Sequence, residues 1–189
     1  MGRPTRGDHL GEALAWVGQI VEWIGQFIPR WTVVPTTSAG VKFVGGSRIV
    51  SFGAGIQWWW PARTILMTHP IARQAVVLRP QTLTTRDDRV VAVGCVLAYT
   101  VEDIELLLTQ TYNPDETVEE IALGIANRVV ATKTWAELQE AHIAGRLDLE
   151  LRREARAALR PYGVRVRKTT LTDLAPCRVY KLLMPEGRP

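Results

Sequence analysis

At 189 residues, with 47 % apolar and 22 % charged side chains, the chain can bury a sizeable core in one domain plus a short appendage, which excludes wholesale disorder. The net charge of +4 rests on arginine, because lysine occurs only at Lys42, Lys133, Lys168 and Lys181. No basic run interleaved with aromatics is present, so nucleic acid is not an expected partner. Cys95 and Cys177 are too few and too far apart for a disulfide framework or a zinc site.

Residues 1–9 are polar, and Arg6 stands where a myristoylation signal wants Ser or Thr. From Leu10 to Trp31 the apolar residues Leu10, Ala13, Leu14, Val17, Val21, Ile24, Ile28 and Trp31 recur at three- and four-residue spacing, which predicts an amphipathic helix. Glu12, Gln19, Glu22 and Gln26 fall on the other face, and Trp16, Trp23 and Phe27 lie along the boundary, where indoles favour a lipid–water interface. No small-residue cleavage site follows, so a cleaved signal peptide is not expected. At 1.5 Å per residue the uninterrupted part is roughly 24 Å long, against a hydrocarbon core of ~30 Å. Glu22 near its middle adds about 2.5–3.5 kcal/mol to insertion. Lying in the interface is therefore favoured over spanning, and a soluble oligomer-core helix would carry the same stripe.

Pro29 and the stretch 35–40 mark a boundary, after which the period becomes that of strands. Short strands are predicted at Thr32–Val34 and Val41–Val44, then Gly45 with Gly46 and Gly53-Ala54-Gly55 punctuate the chain. Trp58, Trp59 and Trp60 precede Pro61. Neighbouring strand residues point to opposite faces, so one wall of core cannot take all three. Either two enter the core and one meets a subunit, or the cluster dips into a headgroup region. The predicted membrane-contact set is thus Leu14, Trp16, Val17, Ile20, Val21, Trp23, Ile24, Phe27 and Ile28 on the helix, with Trp58, Trp59 and Trp60 beyond it.

Extended segments are predicted at Ala75–Leu78 and Thr82–Thr85, split by Pro80, with a hairpin turn at Asp87 and Asp88. Val90–Val101 is the strongest strand, because Val91, Val93, Leu97 and Tyr99 alternate with Ala92, Gly94 and Ala98. Two capping boxes, Thr117 with Glu120 and Thr134 with Glu137, predict helices over 118–131 and 135–160, ended by Pro161 and Gly163. In the last strand, Val164–Leu171, Val164 and Val166 alternate with Arg165 and Arg167. The order is that of an α+β fold, with a mostly antiparallel sheet packed with helices.

Four segments carry a whole-domain resemblance: Gly53 to Ile56 with Pro61; Arg79 to Thr84 with Asp87, leading through alternating valines to Tyr99–Asp103; Ile125 to Leu138; and Gly163 to Leu174. In order and spacing they resemble the stomatin, prohibitin and flotillin (SPFH, or Band 7) family over about residues 32–176. The resemblance implies a non-enzymatic, membrane-tethered domain that forms homo-oligomers, organises lateral membrane domains and restrains membrane proteins such as proteases. Members commonly continue into a charged coiled coil; Ala175–Pro189, with Pro176, Pro185 and Pro189, lacks that pattern, so a large cage is not expected, and a smaller oligomer, a different one or one completed by another subunit are the open alternatives. The organisation read here is a membrane-associating helix at 1–31, the domain at 32–176 and a tail at 177–189. A regulatory subunit docked on one membrane protease or transporter, and a soluble interaction module, are the alternatives.

No catalytic, cofactor or metal site is expected. His9, His69 and His142 are dispersed, no nucleophile elbow or phosphate-binding loop occurs, and Cys95 sits in a strand that reads as buried.

Overall fold

The computed structural model describes residues 28–177, and the chain divides after Pro70 into two units. The first unit holds strands β1 (Arg30–Val34), β2 (Ser38–Val44), β3 (Arg48–Phe52), β4 (Gly55–Trp59) and β5 (Thr64–Pro70). β1 pairs antiparallel with β4, and a second antiparallel sheet has the order β3-β2-β5. Its core is thin: Val34, Ala39, Val41, Thr64 and His69 are buried. At Gly40, in the central strand, a Cβ would land on the Met67 carbonyl oxygen and the Phe52 ring, so only glycine lets these strands approach.

The second unit is built on strands β6 (Gln74–Thr84), β7 (Val90–Val101) and β8 (Val164–Pro176), antiparallel in the order β6-β7-β8. Val91, Val93, Cys95, Leu97, Tyr99 and Val101 of β7 are buried, the alternation expected of its sequence. β6 is one strand rather than two. Its register shifts between Leu78 and Gln81, so Pro80, which has no N–H to give a ladder, sits in a bulge on an edge strand. A second bulge falls where β7 meets β8 at Gly94: a Cβ there would come within 2.9 Å of the Thr172 hydroxyl.

Four helices cover this sheet among the described residues: α1 (Ile104–Gln110), α2 (Pro114–Ala131), α3 (Trp135–Ile143) and α4 (Arg146–Leu159). The short α1, absent from the sequence reading, starts at Asp103, whose carboxylate accepts from the N–H groups of Glu105 and Leu106 at 3.0 and 3.1 Å. α2 starts four residues before the capping box expected at Thr117. Asn113 is the N-cap and Pro114, with its φ already helical, opens the first turn, while the Thr117 hydroxyl donates to the Asn113 carbonyl at 2.8 Å. The second capping box forms as expected: the Glu137 N–H donates to Thr134 Oγ1 at 3.3 Å, and the Thr134 N–H to Glu137 Oε2 at 2.7 Å. One helix over 135–160 is replaced by two, because Gly145 takes a left-handed φ of 66° between α3 and α4.

The apolar faces of all four helices and the sheet share one core, to which Leu107, Val118, Leu138, Leu151 and Leu159 contribute. α2 packs on β6, α4 packs on β8, and α2 and α4 lie against each other. The two helices therefore stand over opposite edges of the sheet.

Candidate membrane-contact surface

In the first unit, register decides what the β1–β4 ribbon exposes. Trp31 stands opposite Trp58 and Val33 opposite Ile56. With a period of two these four side chains share one face. All are exposed, Trp31 at 63 % and Trp58 at 64 %. Ile28 and Trp60, at the two adjoining ends, are also more than half exposed. Residues directly opposite on an antiparallel pair are neighbours across the strands, so the ribbon's register holds these side chains together on one face.

The opposite face of the ribbon turns inward. Val34 is buried, and the half-buried Trp59 donates its indole N–H to Thr32 Oγ1 at 3.1 Å. Lys42 of β2 donates to Gln57 Oε1 at 2.9 Å and to the Trp58 carbonyl at 3.0 Å, with its ammonium 5.3 Å from the centre of the Phe52 ring. These bonds tie the ribbon to the second sheet and leave its tryptophan face free. Eleven of the sixteen exposed large hydrophobic side chains among the described residues belong to this unit, which has the thinner core. An exposed apolar face like that of Trp31, Val33, Ile56 and Trp58 is the kind that marks a protein or membrane contact.

Of the expected contact residues, Leu14, Trp16, Val17, Ile20, Val21, Trp23, Ile24 and Phe27 lie outside the described residues. Ile28 is in a bend, Trp58 and Trp60 are exposed, and Trp59 faces inward. The bland alternative for the three tryptophans, two in the core and one at a contact, is corrected: two are exposed and one is half-buried. Trp31 is corrected too, from the end of a helix to strand β1, which begins at Arg30. Trp31, Val33 and Ile56 were missed as partners of Trp58. The one signal was the matching alternation of 31 with 33 and 56 with 58, which means nothing until the register is known.

The residues that carry chemistry elsewhere are shielded. Burial, and secondarily the Asp148 carboxylate, pushes the Cys95 thiol up to about 11, which keeps it protonated near neutral pH. The Tyr99 hydroxyl lies 3.1 Å from Gln74 Oε1 and 3.3 Å from Asp115 Oδ1, and burial, then that carboxylate, raises its pKa. Among the described residues no group of three or more His, Cys, Asp or Glu side chains could hold a metal ion. Among the same residues no helix is long and apolar enough to cross a membrane.

The sequence model of the SPFH domain / Band 7 family matches residues 32–184. The chain belongs to that family. A search of the curated proteins finds no match. SPFH proteins are generally membrane-associated, oligomeric and non-enzymatic scaffolds. The exposed ribbon lies in the first part of this SPFH domain, immediately after the stretch expected to be the amphipathic helix.

Proposed function

We propose that this SPFH protein is an oligomeric scaffold bound to a bilayer at two neighbouring places, the amphipathic helix expected before residue 28 and the ribbon face of Trp31, Val33, Ile56 and Trp58, and that it organises lateral membrane domains or restrains membrane proteins. The observation that carries the reading is the opposed, exposed pair Trp31 and Trp58 on an ordered strand ribbon. Indole rings are suited to the headgroup region because an apolar body and an N–H donor share one side chain. A single weak anchor binds marginally, but linking copies makes later insertions intramolecular and raises avidity by roughly 10²–10⁴.

The test is flotation of the full chain on vesicles, beside Ile24→Glu. The charge on the apolar helix face should weaken flotation to the level the ribbon face alone supports, without reducing assembly. Loss of assembly with vesicle binding intact assigns the helix to a protein interface and overturns the reading.

A further inference from the structure

The second unit carries two charged surfaces of opposite sign. Arg152, Arg156 and Arg160, from α4 and the turn after it, line one groove with Arg165 and Arg167 of β8, and Glu102 is the single carboxylate there. Glu102 is taken by Arg165. Arg167 Nε donates to the Thr100 hydroxyl at 3.1 Å, and Arg156 reaches only the Val166 carbonyl, at 3.5 Å. The buried Nε of Arg152 has no hydrogen-bond partner among the described residues. Five guanidinium groups against one carboxylate repel one another and leave the groove strongly positive. The groove is therefore built for an anionic partner with several charges.

The complementary surface is on the same unit. Glu116, Glu119 and Glu120 of α2 line a shallow hollow with Arg79 of β6, and Asp115 precedes them on the helix. Arg79 binds Glu119 at 3.0 Å, which leaves an excess of carboxylates. Because α2 packs on β6 and α4 on β8, and these are the two outer strands of the sheet, the acidic and basic surfaces stand at opposite edges.

We infer that the arginine groove at the β8 edge of one copy receives the acidic α2 surface at the β6 edge of a second copy. This rests on the oligomeric reading above and names its interface. Because the two surfaces stand at opposite edges of the sheet, one partner cannot engage both at once, so the contact is head-to-tail and propagates into a ring or filament rather than closing as a two-fold pair. Complementary charge fixes orientation and register, and salt weakens the association.

The experiment measures mass by light scattering for the full chain over a range of concentration and salt. It includes Arg156→Glu with Arg160→Glu, and separately Glu116→Arg with Glu120→Arg. All four positions are exposed, so the fold tolerates them. Each double variant should assemble at least about tenfold more weakly than the native chain. An equimolar mixture of the two should reassemble, because the unaltered groove of one variant meets the unaltered α2 surface of the other, and the two substituted pairs face each other with opposite sign; misfolded variants would not. Native-like assembly of both variants overturns the interface while leaving the scaffold reading intact. A native chain that stays monomeric at every concentration and on vesicles overturns both. If the arginine variant loses binding to phosphatidylserine vesicles or to inorganic phosphate while its mass is unchanged, the groove serves a headgroup or a free anion and the inference fails.

Discussion

Replacing Trp31 and Trp58 together by serine tests the ribbon face quantitatively. A tryptophan side chain has roughly 250 Å² of surface. At 63 % and 64 % exposure, roughly 150 Å² of each ring is free for burial, worth up to about 4 kcal/mol at ~25 cal/mol per Å². Headgroup depth covers about half of that, so each ring contributes about 2 kcal/mol, or about 30-fold in partitioning. The two residues stand directly opposite each other and are not independent, so the double variant should lose at least about 100-fold rather than the full product. The assay is sedimentation of the full chain with increasing vesicle concentration, with urea unfolding to check that the ribbon survives. Val77→Ser, at a side chain 70 % exposed in the other unit, serves as the control and should bind as the native chain does. A double variant whose vesicle affinity stays within about threefold of native would refute a membrane role for this face, since that is well below the area-based value.

Gly163 sits at a φ of 72°, and a Cβ there would strike the Asp103 carbonyl oxygen; Gly163→Ala should cost about 2–4 kcal/mol in urea unfolding from left-handed strain plus the clash, and a loss under about 1 kcal/mol would contradict the packing. The Thr134 backbone N–H, then its hydroxyl, hold the Glu137 carboxyl below its usual pKa. A depressed carboxylate stabilises the fold above its unfolded pKa and loses that contribution as pH falls through its folded pKa. The unfolding midpoints of the native chain and Glu137→Ala should therefore differ at pH 7 and converge below the ordinary glutamate range near about 4.3; a gap that persists in acid contradicts the capping role. Cys95, buried and held protonated, should resist a thiol reagent in the native protein at pH 8 while the less buried Cys177 reacts, and both should react after unfolding; equal native rates would contradict the burial.

The parts of the fold legible in the sequence are those where one strong local pattern meets one environment. Val90–Val101 alternates because one face is core, and Thr134 with Glu137 caps a helix by bonds spanning three residues. The turn at Asp87 and Asp88 is likewise local, with Asp88 at a φ of 57°. What escaped depends on context. α1 has seven residues, too few to show a helical period, and Pro80 reads as a break until β6 is known to be an edge strand. Gly145 looks like a tolerated helical glycine until its φ turns left-handed. β3 and β5 are hidden among glycines and mixed residues, whose strand character comes from pairing with β2. For the candidate site, the tryptophan cluster stood out by type, but its partner Trp31 lies 27 positions away and was absorbed into a helical period.

Flotation of the full chain on vesicles, beside a chain beginning at Ile28, bears most directly on the scaffold reading. A cut after residue 31 would remove part of β1 and confuse loss of the helix with damage to the ribbon. The full chain should float and stay bound through a high-salt wash, and the shortened chain should float weakly, through Trp31 and Trp58. If neither floats, the apolar stripe and the tryptophan face both belong to protein contacts, and the membrane-bound scaffold is contradicted.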